Sequence, residues 1–135
     1  ELDYLNWIFG PIRYIASKIN KVKKFKIDVE ECYFAILNSK NKFLINLSVD
    51  MVRHDPQRFC EAIFENGTVF INILNGTIKV STGSKITYYR HNSDLNRSYK
   101  NMWTNFLKTK KGSDLQNIIN NSEVILKIID EIKKN

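Results

Sequence analysis

The sequence predicts an α+β fold, with an open-faced, mostly antiparallel sheet of about six strands and helices on one face. Apolar residues recur at helical spacing at both ends of the chain, and apolar and polar residues alternate in between. The pairs Asn66-Gly67 and Asn75-Gly76 are typical of two-residue hairpins, and Thr82-Gly83 marks a third tight turn. Strands joined by tight turns are antiparallel, and helices grouped at the chain ends predict a layer on one face.

The opening helix is predicted from four apolar residues at helical spacing, which are Leu2, Leu5, Ile8 and Phe9. Gly10 and Pro11 end it, because glycine caps a helix and proline cannot continue one. No Ser, Thr, Asp or Asn precedes Glu1 to cap the first amides. We therefore expect the chain to be a fragment whose natural start lies upstream.

Seven segments show the alternation of β-strands, at 12–20, 31–38, 43–53, 58–65, 68–74, 77–81 and 85–90. In the first, Ile12, Tyr14 and Ala16 are expected to alternate with Arg13, Ile15 and Ser17. One face of the third carries Phe43, Ile45, Leu47, Val49 and Met51. Pro56 interrupts the ladder after it.

Two helices are predicted after the strands. Ser93 is expected to cap the first, whose core stripe is Leu95, Tyr99, Met102, Trp103, Phe106 and Leu107. Gly112 and Ser113 precede the second, whose buried stripe is Leu115, Ile118, Ile119, Ser122, Leu126, Ile129 and Ile132.

The sheet face away from the helices is also predicted to be apolar, whereas a face exposed to solvent normally carries polar residues. Its predicted members are Tyr33, Leu37, Leu44, Val52, Phe59, Ile63, Phe70 and Leu74. A contiguous set of this size indicates an interface, and we expect it to pair with another copy in a homo-oligomer.

Composition and charge narrow the classes of protein. The 135 residues suit a single domain, 1–135, and no apolar run is long enough to span a membrane. The net charge of +7 permits a basic nucleic-acid-binding sheet. The lysines outnumber the arginines and are scattered along the chain, which indicates a general bias in composition and not a nucleic-acid-binding surface. Nucleic-acid binding requires aromatic and arginine residues clustered on one exposed face.

The two cysteines, Cys32 and Cys60, lie in apolar strands without zinc-ligand spacing. We expect buried free thiols, no metal site and a reducing, cytoplasmic location.

The opening segment, Glu1 to Gly10, resembles the helix that begins the C-terminal domain of Gfo/Idh/MocA oxidoreductases, often H-E-x-D-Y-L-x-x-L-F-G. Three further stretches are similar to that family in the same order. They are 48–58, 61–69 and the helix containing Tyr99, Met102, Trp103, Phe106 and Leu107.

The resemblance implies an NAD(P)-dependent oxidoreductase acting on a sugar or nucleotide-sugar hydroxyl. It implies a separate N-terminal Rossmann domain, whose G-x-G-x-x-G turn holds NAD or NADP, and this sequence has no such turn. The family's catalytic Lys, Asp and His also lie upstream. We therefore expect a substrate-binding and oligomerisation domain without catalytic, cofactor-binding or metal-binding residues, inactive without its N-terminal domain.

Candidate substrate-binding residues lie in two places. In the bend after the third strand, Arg53 and Arg58 can give paired donors to a carboxylate or phosphate, and His54 can bind a hydroxyl. Alternatively, Asp50 or Asp55 pairs with an arginine and His54 is solvated. On the opening helix, the resemblance places Tyr4 and Trp7 near the missing catalytic residues. A stand-alone protein-interaction domain is the main alternative function.

Overall fold

The computed structural model describes residues 1–21, 32–91, 94–108 and 112–134. Helix α1 spans Leu2–Phe9 and is followed by seven strands. These are β1 (Ile12–Asn20), β2 (Cys32–Ser39), β3 (Leu44–Asp50), β4 (Phe59–Phe64), β5 (Gly67–Asn72), β6 (Thr77–Thr82) and β7 (Lys85–Arg90). Helices α2 (Leu95–Lys108) and α3 (Gly112–Lys133) complete the chain. The α+β class and the antiparallel pairing are confirmed.

The strands form two sheets, β1-β2-β3 and β4-β5-β6-β7, whereas the sequence predicted one sheet of about six strands. Strand β3 ends earlier than expected because the Asp50 carboxylate accepts the Val52 N–H at 2.9 Å and turns the backbone. The chain groups into two compact units. Unit 1 comprises Glu1–His54 and Lys110–Asn135, and unit 2 comprises Asp55–Thr109.

In unit 1, α1 buries Leu2, Leu5 and Phe9 as predicted, whereas Ile8 is exposed. Gly10 ends the helix in the left-handed region at φ 81°, which favours glycine. The Asn41 side-chain amide donates to the Phe9 carbonyl at 3.1 Å, which satisfies one of the helix's final acceptors.

The core of unit 1 lies on the α3 side of β1-β2-β3. Strand register pairs Leu37 with Ile45 and Ala35 with Leu47, and all four side chains are buried. The prediction that Leu37 faces outward was therefore wrong: its side chain is fully covered. Tyr33 is paired with Val49 on the same core side, whereas Leu44 faces outward and is exposed as expected. Of the predicted outer-face residues that follow, Phe59, Ile63 and Leu74 are exposed, and Val52 and Phe70 are half-buried.

A β-bulge in β1 changes which side chains face the core. The register with β2 shifts between Tyr14 and Ala16, so Ile15 is the extra residue. Ile12 and Tyr14 face inward before the shift, and the inward positions after it are Ser17 and Ile19. The prediction that Ala16 shares a face with Ile12 and Tyr14 was wrong, because it assumed a regular strand; Ser17 lies on that face instead.

Helix α3 closes the core with its C-terminal half, where Ile125, Ile128 and Ile132 are buried. The Ser17 hydroxyl donates to the Ile132 carbonyl at 3.1 Å, joining β1 to the end of α3. The predicted buried stripe was wrong for five positions, all of which are exposed: Leu115, Ile118, Ile119, Ser122 and Leu126. The side chain of Ser113, the expected cap, lies outside the described part of the structure.

In unit 2, the meander β4–β7 has two chemically different faces, defined by strand pairing. We call one the aliphatic face: Cys60, Ala62, Phe64, Gly67, Val69, Ile71, Ile78, Val80, Thr82, Lys85, Thr87 and Tyr89. The other is the aromatic face: Phe59, Glu61, Ile63, Thr68, Phe70, Asn72, Thr77, Lys79, Ser81, Ile86, Tyr88 and Arg90.

Helix α2 does not bury its apolar stripe in unit 2. Tyr99, Met102, Trp103, Phe106 and Leu107 are each more than half exposed, so the prediction of a core stripe was wrong. Trp103 and Phe106 instead contact each other edge to face, with ring centroids 6.0 Å apart. The expected cap, Ser93, lies outside the described residues, and the Asp94 carboxylate accepts the Asn96 N–H at 3.0 Å.

None of the helices in the described part of the chain has the length and apolar character needed to cross a membrane.

Candidate functional site

The bend after β3 exposes two of the predicted substrate-binding residues, Arg53 and His54. Asp50 at its start accepts two hydrogen bonds on one carboxylate oxygen, from the Val52 N–H and from the Cys32 thiol at 3.4 Å. Asp50 therefore shapes the turn. Arg53 and His54 extend from a bend whose backbone is fixed by that carboxylate.

Arg58 belongs to unit 2, whereas Arg53 and His54 belong to unit 1. Its side chain is exposed, and its carbonyl accepts the Ile73 N–H at 2.8 Å beside β4. Nearby, the Asp55 carboxylate accepts a hydrogen bond from the Gln57 amide at 2.7 Å.

Tyr4 and Trp7 lie one helical turn apart on α1, away from the buried Leu2, Leu5 and Phe9. Tyr4 is half-buried, and Trp7 is 82% exposed. An indole on a short helix that is anchored by three buried side chains offers an apolar, flat surface to a ligand.

A pocket of about 160 Å³ lies in unit 1 beside the core, lined by Leu2, Ile19, Tyr33, Ile129, Ile132 and Lys133. Burial, and secondly the Glu1 carboxylate, raise the pKa of the Tyr33 phenol above its ordinary value. No local sequence pattern predicts this pocket, because its walls come from both ends of the chain.

A second cavity, of about 260 Å³, is polar and lies at the start of α2. Its lining residues are His91, Asp94, Arg97, Ser98 and Asn101. The His91 side chain is exposed. A third depression, of about 430 Å³, covers the outer face of β1-β2-β3 around Phe34 and Ile36.

The glycines of the described strands serve turns. Gly76 and Gly83 have φ values of 66° and 54° in the hairpins flanking β6. Residues spaced in this way do not fit a dinucleotide, whose phosphates need consecutive backbone amides at a helix N-terminus. Among the described residues, no three His, Cys, Asp or Glu side chains are grouped so that they could hold a metal ion.

Neither Cys32 nor Cys60 forms a disulfide. Cys32 is buried as predicted, whereas Cys60 is only half-buried because the aliphatic face is incompletely covered.

Comparison of the chain with protein-family models, curated proteins and solved structures finds no match in any of the three.

Proposed function

We propose that this chain is the substrate-binding and oligomerisation domain of an NAD(P)-dependent oxidoreductase of the Gfo/Idh/MocA type, acting on a sugar or nucleotide-sugar hydroxyl. The four similar segments support this, and they occupy α1, the end of β3 with the following bend, the β4–β5 hairpin, and α2. The dinucleotide would be bound by a separate N-terminal Rossmann domain. The described glycines of this chain serve turns and do not fit the cofactor, so its binding would depend on that other domain.

One observation carries the oligomerisation part of the proposal. The aliphatic face of β4–β7 and the stripe of α2 both present apolar side chains that unit 2 leaves partly or fully exposed. Apolar surface of this extent is favourable to cover, at about 25 cal/mol per Å². The sequence predicted this contact on the face that carries Phe59, Ile63 and Phe70, which is the aromatic face. We place it instead on the aliphatic face, which carries only one charged residue, Lys85.

In this proposal the substrate is bound by the exposed side chains of Arg53, His54, Arg58 and Trp7 and by the half-buried Tyr4. Arginine donors suit the phosphates of a nucleotide-sugar, and an aromatic ring suits the C–H face of a sugar. The reduced state of Cys32 and Cys60, neither of which forms a disulfide, supports a reducing, cytoplasmic environment.

The oligomer is tested by light scattering coupled to size-exclusion chromatography on Phe64→Lys and Phe59→Lys. These phenylalanines are on one strand, similarly exposed at 46% and 52%, and belong to opposite faces. We expect Phe64→Lys to shift the protein to a monomer, because it introduces a charge into the aliphatic face, and Phe59→Lys to leave the oligomer intact. A wild-type monomer at all concentrations contradicts the oligomer and favours a stand-alone domain that binds a different protein.

The enzyme is tested separately, on the full protein that contains this chain. Equilibrium dialysis with NAD⁺ and NADP⁺ should detect binding of one dinucleotide, and Arg53→Ala should weaken a nucleotide-sugar without weakening that dinucleotide. A full protein that binds neither dinucleotide overturns the oxidoreductase proposal, whatever its oligomeric state.

A further inference from the structure

The aromatic face of β4–β7 differs from the aliphatic face in the side chains that it displays. It combines three aromatic rings with two cations and one anion: Phe59, Phe70, Tyr88, Lys79, Arg90 and Glu61. The aliphatic face instead carries valine and isoleucine at the centres of its strands. A surface that mixes rings and charges is unsuited to a dry protein core, because each buried charge needs a partner.

The rings and cations lie in two adjacent rows across the sheet. One row places Phe70, Lys79 and Tyr88 on the neighbouring strands β5, β6 and β7. The next row has Phe59 at one edge and Arg90 at the other. Phe59 and Phe70 are stacked, with centroids 5.5 Å apart and planes 25° from parallel.

From this arrangement we infer that the aromatic face binds single-stranded nucleic acid, with bases stacked on Phe70 and Tyr88 and phosphates at Lys79 and Arg90. Strands are about 4.8 Å apart, so Phe70 and Tyr88 stand roughly 10 Å apart with Lys79 between them. A base stacks on an aromatic ring irrespective of its identity, and cations follow the phosphates. Four-stranded antiparallel sheets that display aromatic rings are an established way to hold unpaired bases.

Charge and exposure favour this ligand over the alternatives. The face carries one more cation than anion, and the chain as a whole has a net charge of +7. Tyr88 is 69% exposed on the edge strand, so a base can reach its ring. A neutral glycan would use the rings but not Lys79 and Arg90, whereas a nucleic acid uses both.

The sequence provides matched controls because neighbouring residues of one strand point to opposite faces. Tyr88 and Tyr89 are adjacent on β7, and the second belongs to the aliphatic face with a similar exposure of 57%. Lys79 and Lys85 are likewise on opposite faces. If the loss of a ring or a charge has a general effect on the protein, substituting either residue of a pair will weaken binding. If the proposed site is correct, only the substitution on the aromatic face will weaken it.

The test is fluorescence anisotropy with labelled oligothymidylate and oligouridylate of about twelve nucleotides. We expect Tyr88→Ala to weaken binding roughly 5- to 150-fold and Tyr89→Ala to leave it unchanged. Lys79→Ala should reduce the slope of log affinity against log salt by about 0.7, whereas Lys85→Ala should not. Photo-crosslinking of a thiouridine-labelled strand to the wild type should map to Phe59, Phe70 or Tyr88.

Three results overturn the inference: no binding at about 50 mM salt, equal losses in Tyr88→Ala and Tyr89→Ala, or crosslinks confined to the aliphatic face. The crosslinking experiment uses the unaltered protein, so it remains decisive if a variant does not fold. Each result is independent of dinucleotide binding by the full protein.

Discussion

Units 1 and 2 contain similar antiparallel strands but differ in how those strands are covered. Every fully buried side chain among the described residues belongs to unit 1, where α1 and α3 lie on one face of the sheet. In the described part of unit 2, side chains on both faces of β4–β7 are at most half-buried. Alternation along a segment therefore predicts a strand, whereas the burial of its side chains depends on the element that covers it.

The difference also separates the sources of stability. Unit 1 gains from apolar burial, whereas unit 2 depends more on ladder hydrogen bonds and turn geometry. We therefore expect the stability of unit 2 to depend more than that of unit 1 on its turn residues and on the binding of partners.

The largest effect is expected in the core of unit 1. Leu37→Ala removes a side chain with 0% exposure and should lower the free energy of unfolding by about 2–5 kcal/mol. Leu44→Ala, on the next strand but 68% exposed, is the control and should cost less than about 0.5 kcal/mol. Urea denaturation followed by circular dichroism measures both. Equal losses would contradict the assignment of the core to the α3 side.

A turn substitution should affect unit 2 next most strongly. Gly76 has φ 66°, and a Cβ added there would overlap the His91 carbonyl oxygen. The His91 N–H also donates a hydrogen bond to the Gly76 carbonyl at 2.8 Å. Gly76→Ala should cost about 2 kcal/mol, of which about 1 comes from the backbone conformation alone. Gly83→Ala has a similar φ of 54° but open space around the new methyl group, so it isolates that smaller cost. Hydrogen exchange of the β6 and β7 amides reports both, and equal effects would contradict the steric explanation.

A smaller effect is expected at the contact between β1 and α3. Ser17→Ala removes the donor to the Ile132 carbonyl and should cost about 1 kcal/mol. Ser48→Ala, on the outer face of the same sheet, should cost much less. Thermal melts distinguish them. A neutral Ser17→Ala would mean that apolar packing alone holds α3 on the sheet.

The smallest effect is a pH dependence at Tyr33. Its pKa is raised in the folded protein, first by burial and then by Glu1, so folding favours the neutral phenol. That stabilisation is complete below the unfolded pKa of about 10 and is lost as the pH rises through the folded pKa. The difference in unfolding midpoint between wild type and Tyr33→Phe should therefore change only above about pH 10. An unchanged difference would contradict the effect of burial on this phenol.

Local sequence patterns predicted the elements well and their faces poorly. The residue pairs of the tight turns correctly predicted the hairpins of unit 2, and Gly10 with Pro11 correctly predicted the end of α1. Each of these signals is contained in the few residues that form the turn or the helix end. Leu37 was misplaced because its direction depends on pairing with Ile45 on another strand. In α3, two isoleucine rows satisfy the helical period, and only contact with β1 selects the row containing Ile125 and Ile128.

The candidate site was predictable only in part. Residue chemistry proposed Arg53, His54 and Arg58, and the family resemblance proposed Tyr4 and Trp7. Neither could foresee that Arg58 belongs to a different unit from the other four. The aromatic face needed the strand register, because Phe70, Lys79 and Tyr88 are far apart in sequence and adjacent only across β5, β6 and β7.

The extra residue in β1 has a consequence for any length change in this strand. Deleting Ile15 would make Tyr14 and Ala16 consecutive, opposite Leu37 and Ile36, which are already consecutive in β2. The side chains from Ala16 to Asn20 would therefore keep their directions, with Lys18 outward and the Ser17 hydroxyl at the Ile132 carbonyl. A single-codon loss at this position should therefore harm folding less than the same loss in the regular strand β2, where it would reverse every side chain beyond it.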